Sequence, residues 1–264
     1  SGDLSPVDLA QSQLARIDLL DGTLKSYATV TTELALEQAR LAESEIAKGK
    51  YRGKLHGIPI AVKDLCNTAG IRTMGGSAVF ADNVPDHDAT VVVNLRNAGA
   101  VLLGKLNMTE GAMGGYNPEL QVPENPWRPS YWAGASSSGS GSATAAGLAY
   151  GTLGSDTGGS IRHPAAVCGT VGLKPTWGRV SRYGVMDLAA SLDHVGPLTR
   201  SAADAGIVLQ AISGLDPKDS TTLSHNVPDM LSKIGMSVKG LKIGWDEEYS
   251  TSDMEPSFAR AVEA

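Results

Sequence analysis

Apolar residues recur at helical spacing near the start of the chain, where Leu9, Leu14, Ile17 and Leu20 form one stripe. Ser5, Pro6 and Asp8 precede it as an N-cap, a first-turn proline and a first-turn acid, which predicts a helix start. A second helix, rich in Ala, Leu and Glu, is predicted from about Thr32 to Lys48. The period then changes. Residues 57–64, Gly-Ile-Pro-Ile-Ala-Val-Lys-Asp, are an apolar run ending in charge, the pattern of a buried strand. Asp88 is placed to cap a helix over Ala89–Asn97, Gly99 to end it, and Ala100–Gly104 to follow as another buried strand. A helix leading into an apolar strand is half a βαβ unit, so a mostly parallel sheet covered on both faces is expected. Residues 142–156 predict a short helix running into a strand, and 239–246 a late strand. The final stretch begins a helix at Pro256 and stops without a cap, which predicts that residues follow Ala264 in the natural chain.

Composition narrows the class. A chain of 264 residues, 42% hydrophobic, suits a globular α/β protein, and we read it as one domain over 1–264. Aromatics are 5% and glycines number 31, so the core is expected to rely on close backbone packing. The formal net charge is −6 and no basic run stands out, which argues against a nucleic-acid partner. The two cysteines, Cys66 and Cys168, form no CxxC pair, so a cytoplasmic location is expected. No apolar run is long enough for a membrane span, and the first ten residues do not read as a signal peptide.

Several stretches invite a chemical reading. Gly99–Lys105 fits G-x-x-x-x-G-K, but Leu106 stands where a phosphate loop needs Ser or Thr, and the middle is apolar strand. The five histidines show no metal spacing, and no metal or cofactor is expected. No serine lies between glycines at −2 and +2, as a nucleophile elbow would require. His194 stays open as a candidate base. Lys63 ends an apolar run, so it either reaches water from a strand end or is buried and shifted toward its neutral form. Residues 134–147 are rich in Gly and Ser, yet they lead into helical and strand patterns without Pro or charge. That favours close backbone approach over a linker. Residues 151–163, Gly-Thr-Leu-Gly-Ser-Asp-Thr-Gly-Gly-Ser-Ile-Arg-His, crowd small and polar groups together.

Three blocks, 57–77, 104–127 and 134–184, together resemble the amidase signature family of Ser-cis-Ser-Lys hydrolases. The resemblance implies a twisted, mixed, largely parallel sheet sandwiched by helices, in chains that usually run well past 264 residues. It implies Ser160 as nucleophile, Ser136 as bridging serine with a cis peptide before it, and Lys63 as base. Ser136 precedes Ser160 by 24 positions, the family's usual spacing. Ala135 replaces the glycine usual before the bridging serine.

The residues make chemical sense of those roles. A serine hydroxyl is barely ionised near neutral pH. A neutral lysine can take its proton through Ser136, whose hydroxyl both donates and accepts. Backbone N–H groups from Thr157 through Gly158 and Gly159 to Ser160 can form a nest for an oxyanion. Asp156 and Arg162 flank this loop and are expected to brace it. The leading reading is hydrolysis of a small amide, anilide, ester or carbamate, with homo-oligomerisation left open. Two alternatives remain. One is the glutaminase component of a tRNA-dependent amidotransferase, which typically carries Asn-Met-Asp-Glu-Phe-Ala-Met-Gly-Ser-Ser where this chain has Asn107–Pro118 as Asn-Met-Thr-Glu-Gly-Ala-Met-Gly-Gly-Tyr-Asn-Pro. The other is a non-catalytic anion-binding module, which has no use for Lys63 or Ser136.

Overall fold

A computed structural model describes residues 4–252 and 254–263. Its regular elements are α1 (Pro6–Leu24), β1 (Tyr27–Val30), α2 (Thr32–Ala47), β2 (Pro59–Lys63), α3 (Thr90–Asn97), β3 (Val101–Leu106), α4 (Ser138–Ala145), β4 (Gly151–Asp156), α5 (Arg162–Cys168), β5 (Val171–Gly172), β6 (His194–Thr199), α6 (Ala202–Ile212), α7 (Glu247–Thr251) and α8 (Pro256–Glu263). The chain packs as two units, Ser1–Ser232 and Lys233–Ala264.

The first unit holds a six-stranded sheet in the order β1-β3-β2-β4-β6-β5. The central strands β3, β2 and β4 pair in parallel, and the outer pairs are antiparallel. The sheet is therefore mixed, with its parallel character concentrated in the centre. Two helical crossovers explain this. From α3, Val91, Val92 and Leu95 pack on one face with Ile60, Val62, Leu102 and Leu153. After α4, Leu148 and Ala149 pack on the other face with Ala61, Val101 and Leu103, beside α1 and α2. The alternation Ile60–Ala61–Val62 thus feeds two cores from one strand. The crossover through α3 carries the chain from β2 to β3 on one side, and that through α4 brings it back past β2 to β4. A crevice opens where such connections diverge, beyond the carboxyl ends of the strands. Lys63 closes β2, and Asp156 closes β4.

Ser5 caps α1 as its sequence predicts, accepting from Val7 N–H at 3.0 Å. Asp88 does not cap α3. Its carboxylate accepts from Ala69 N–H at 2.8 Å and pairs with Arg96, which leaves Ala89 at the N-cap. In the second unit no strand forms over 239–246. Leu241 and Ile243 are exposed, and Asp246 instead caps α7. A strand without a neighbouring ladder leaves its backbone groups unpaired, and no neighbour exists there among the described residues. No helix among the described residues is long and apolar enough to cross a membrane.

Candidate active site

The Gly/Ser-rich stretch is a buried helix start. Every residue from Ser136 to Thr144 is buried. Hydroxyls fasten α4 to β4: Ser140 donates to the Leu153 carbonyl at 2.9 Å, and Ser137 donates to the Ser155 carbonyl at 3.2 Å while accepting the Ser155 N–H. A Cβ at Gly139 would lie 2.5 Å from the carbonyl oxygens of Asn107 and Ser26. Only small residues let these backbones approach so closely.

That approach sets Ser136 over the end of β2. Lys63 is completely buried, and its Nζ donates to Ser136 Oγ at 2.6 Å and to Ser155 Oγ at 2.8 Å. The Ala135–Ser136 peptide is cis. Burial pushes the Lys63 ammonium down to about 7, against the opposing pull of Cys66, Asp156 and Asp193. A second buried lysine provides the contrast. Lys105 lies 3.3 Å from the Asp64 carboxylate and donates to Thr73 Oγ1. Lys105 is a paired structural cation, which leaves the phosphate-loop pattern at 99–105 without a loop. Among the described residues, Lys63 hydrogen-bonds to hydroxyls only.

The 156–162 loop is organised by Asp156. Its carboxylate accepts from the N–H groups of Gly159 at 2.8 Å, Ile161 at 3.0 Å and Arg162 at 3.3 Å. The Arg162 guanidinium adds two bonds at 3.0 and 2.8 Å. Burial raises the Asp156 pKa, but Arg162 and these N–H groups outweigh it and hold the carboxyl below its ordinary value. Gly159 adopts φ +136°, a region open to glycine. Its N–H is engaged by Asp156, so it is not a free donor beside those of its neighbours. The N–H groups of Gly158 and Ser160 have no such partner among the described residues. Ser160 is half-buried, and its carbonyl accepts the Ser137 N–H at 3.3 Å, which docks the loop on the residue after Ser136. The structure thus brings Lys63 and Ser136 into direct contact and joins Ser160 to them through the backbone. Ser160 Oγ makes no hydrogen bond among the described residues.

His194 is turned to other work. Its Nδ1 donates to the Asp156 carbonyl at 3.1 Å, so Nε2 accepts from Lys174 Nζ at 3.3 Å. Neither nitrogen is left for a serine. Two residues of the site escaped the sequence reading. Ser155 reaches Lys63 only because β2 and β4 pair, a contact with no local signal. Asp193 accepts from the Thr157 hydroxyl and from the N–H groups of Leu188 and Ala189, which ties the 186–193 turn to the loop.

The profile of the Amidase family matches residues 8–264. The chain belongs to the Amidase family. It is 53% identical over 97% of its length to AmiD of Mycobacterium tuberculosis, a protein named as an amidase. It is 49% identical over 98% of its length to a glutamyl-tRNA(Gln) amidotransferase subunit of Moorella thermoacetica. Among solved structures, the native peptide amidase from Stenotrophomonas maltophilia superposes with a TM-score of 0.80 at 41% identity, over 87% of this chain and 49% of that one. The chain spans about half the length of the curated relatives it matches, 54% in both cases.

Proposed function

We propose that the protein hydrolyses carboxylic amides through a seryl acyl-enzyme, with Ser160 as nucleophile, Ser136 as proton bridge and Lys63 as base. One observation carries this reading: a fully buried lysine with no carboxylate partner among the described residues, 2.6 Å from the hydroxyl of Ser136. Near pH 7 a large share of Lys63 is neutral. A neutral amine donates one N–H to Ser155 and turns its lone pair to Ser136. Ser136 passes its proton to Lys63 and takes the proton of Ser160 as the Ser160 Oγ–carbon bond forms. The N–H groups of Gly158 and Ser160 stabilise the oxyanion; one such donor is worth about 3–4 kcal/mol of barrier. The proton returns through Ser136 to the nitrogen as the C–N bond breaks. Water, deprotonated by the same relay, then cleaves the ester and releases the acid.

A fluorophosphonate probe tests the nucleophile. Ser160 should be labelled, Ser160→Ala should lose labelling and turnover together, and labelling elsewhere would contradict the assignment. The family's amidotransferase members give a second reading, glutamine hydrolysis within a larger complex, favoured by the 49% identity to the Moorella thermoacetica protein. The Gly-Ala-Met-Gly-Gly-Tyr sequence at 111–116 favours the free amidase. Turnover of an aliphatic amide, an anilide, a carbamate and glutamine separates the two.

A further inference from the structure

An aromatic corner stands beside the bridging serine, and the mechanism above does not use it. Trp132 is 49% exposed, yet it is held from several sides. Its Nε1 donates to the Tyr116 hydroxyl at 3.2 Å, and its carbonyl accepts from Asn125 Nδ2 at 3.2 Å. Its backbone also forms a β-bridge with Glu124. Its ring meets His163 edge to face, with centroids 4.8 Å apart at 72°. An indole displayed on a surface for no purpose has no need of such anchoring. A fixed aromatic face loses little entropy when a ligand ring settles on it.

The corner's position says which part of a substrate it meets. Tyr116 Oη donates to the Gly134 carbonyl at 3.4 Å, and Ala135 N–H donates to His163 Nδ1 at 3.4 Å. His163 N–H donates to the Gly159 carbonyl at 2.7 Å. Trp132, Tyr116 and His163 therefore surround the segment that leads into Ser136 and touch the loop that carries Ser160. Resting on the acyl-enzyme reading, Ser136 delivers the proton to the departing nitrogen. The leaving amine must then pass on the Ser136 side, where Trp132 stands.

We infer that Trp132, oriented by Tyr116 and His163, is a specificity determinant that binds an aromatic ring on the leaving amine, so that arylamides are preferred over primary amides of the same acid. In that reaction the Ser160 Oγ–carbon bond forms and the carbon–nitrogen bond breaks. The arylamine departs with the proton from Ser136, and water hydrolyses the ester.

The test holds the acyl group constant and compares hexananilide with hexanamide, in the whole protein. Wild type should show a higher kcat/KM for the anilide. Trp132→Ala should lower the anilide-to-amide ratio by about tenfold, the scale of one aromatic pair, and Trp132→Phe should restore most of it. A parallel fall for both substrates, or an unchanged ratio, would overturn the inference. Equilibrium binding of hexananilide to Ser160→Ala, with and without Trp132→Ala, separates the two claims. If neither substrate turns over but Trp132→Ala weakens binding about tenfold, the ring site stands and the acyl-enzyme reading falls. Binding that ignores Trp132 removes the ring site whatever the catalytic result.

Discussion

Lys63 Nζ lies 2.6 Å from Ser136 Oγ, a buried contact across 73 positions of sequence that joins the end of a central strand to the approach of a buried helix. The contact exists because Gly139 and the surrounding serines let that helix settle against the sheet. The same packing that makes the core makes the candidate relay.

The closeness of that packing is testable. Gly139→Ala would push a methyl to 2.5 Å from two backbone carbonyls. It should lower stability by about 3 kcal/mol, read as a reduced midpoint in urea. Gly158→Ala, with nothing within 4 Å of the new Cβ, should leave the midpoint unchanged. Equal midpoints for the two variants would contradict the packing described.

Asp156 carries the loop. Asp156→Asn keeps the shape but weakens the bonds to Arg162 and leaves backbone donors poorly matched, so a loss of about 3 kcal/mol is expected. The folded carboxyl lies below its ordinary 3.8. Its contribution is therefore present above that value and is lost as pH falls through the lowered one. The gap between wild type and variant should shrink in strong acid, as chemical denaturation at pH 7 and at pH 3 can show. A gap that widened in acid would argue against the ion pair.

Much of this was legible in the sequence because the decisive signals are local. A capped helix announced itself at Ser5, and an apolar run ending in Lys63 announced a buried strand, while the lysine itself could be read either as reaching water or as buried. The resemblance supplied Ser136 and Ser160 together. Other features depend on partners far along the chain. Ser155 acquires its contact with Lys63 only through strand pairing. Asp88 looked like a cap until Ala69 and Arg96 occupied its carboxylate. The alternating Leu241, Ile243 and Trp245 carry a strand pattern, but no ladder stands beside them among the described residues, so pattern alone did not make a strand.

Ser155 gives a sharper check on the base. Ser155→Ala removes one of the two hydroxyls that orient Lys63. It should slow acylation by about tenfold, the worth of roughly one hydrogen bond, while Ser160 remains labelled by a fluorophosphonate. Wild-type acylation in this variant would mean that Lys63 needs no such orientation.

Burial of Lys63 also predicts a pH-dependent stability. Its folded pKa, about 7, lies below the ordinary 10.5. Between these values the unfolded chain binds the proton more readily, so stability rises with pH across that window. Lys63→Met removes the effect. Relative to wild type, this variant should become more stable as pH falls from 10 to 7, with the difference levelling off below 7. Thermal melts at pH 7, 8.5 and 10 measure it, and a difference independent of pH would show that Lys63 is not displaced.

The pH dependence of single-turnover acylation for wild type, Lys63→Ala and His194→Ala tests the central claim most directly. Wild type should rise through pH 7 as Lys63 loses its proton. His194→Ala should keep that profile, because both nitrogens of His194 serve the loop and Lys174. Lys63→Ala should lose about 10²–10⁴-fold in rate, together with the rise near pH 7. Near-normal acylation in Lys63→Ala, with an inactive His194→Ala, would contradict the account.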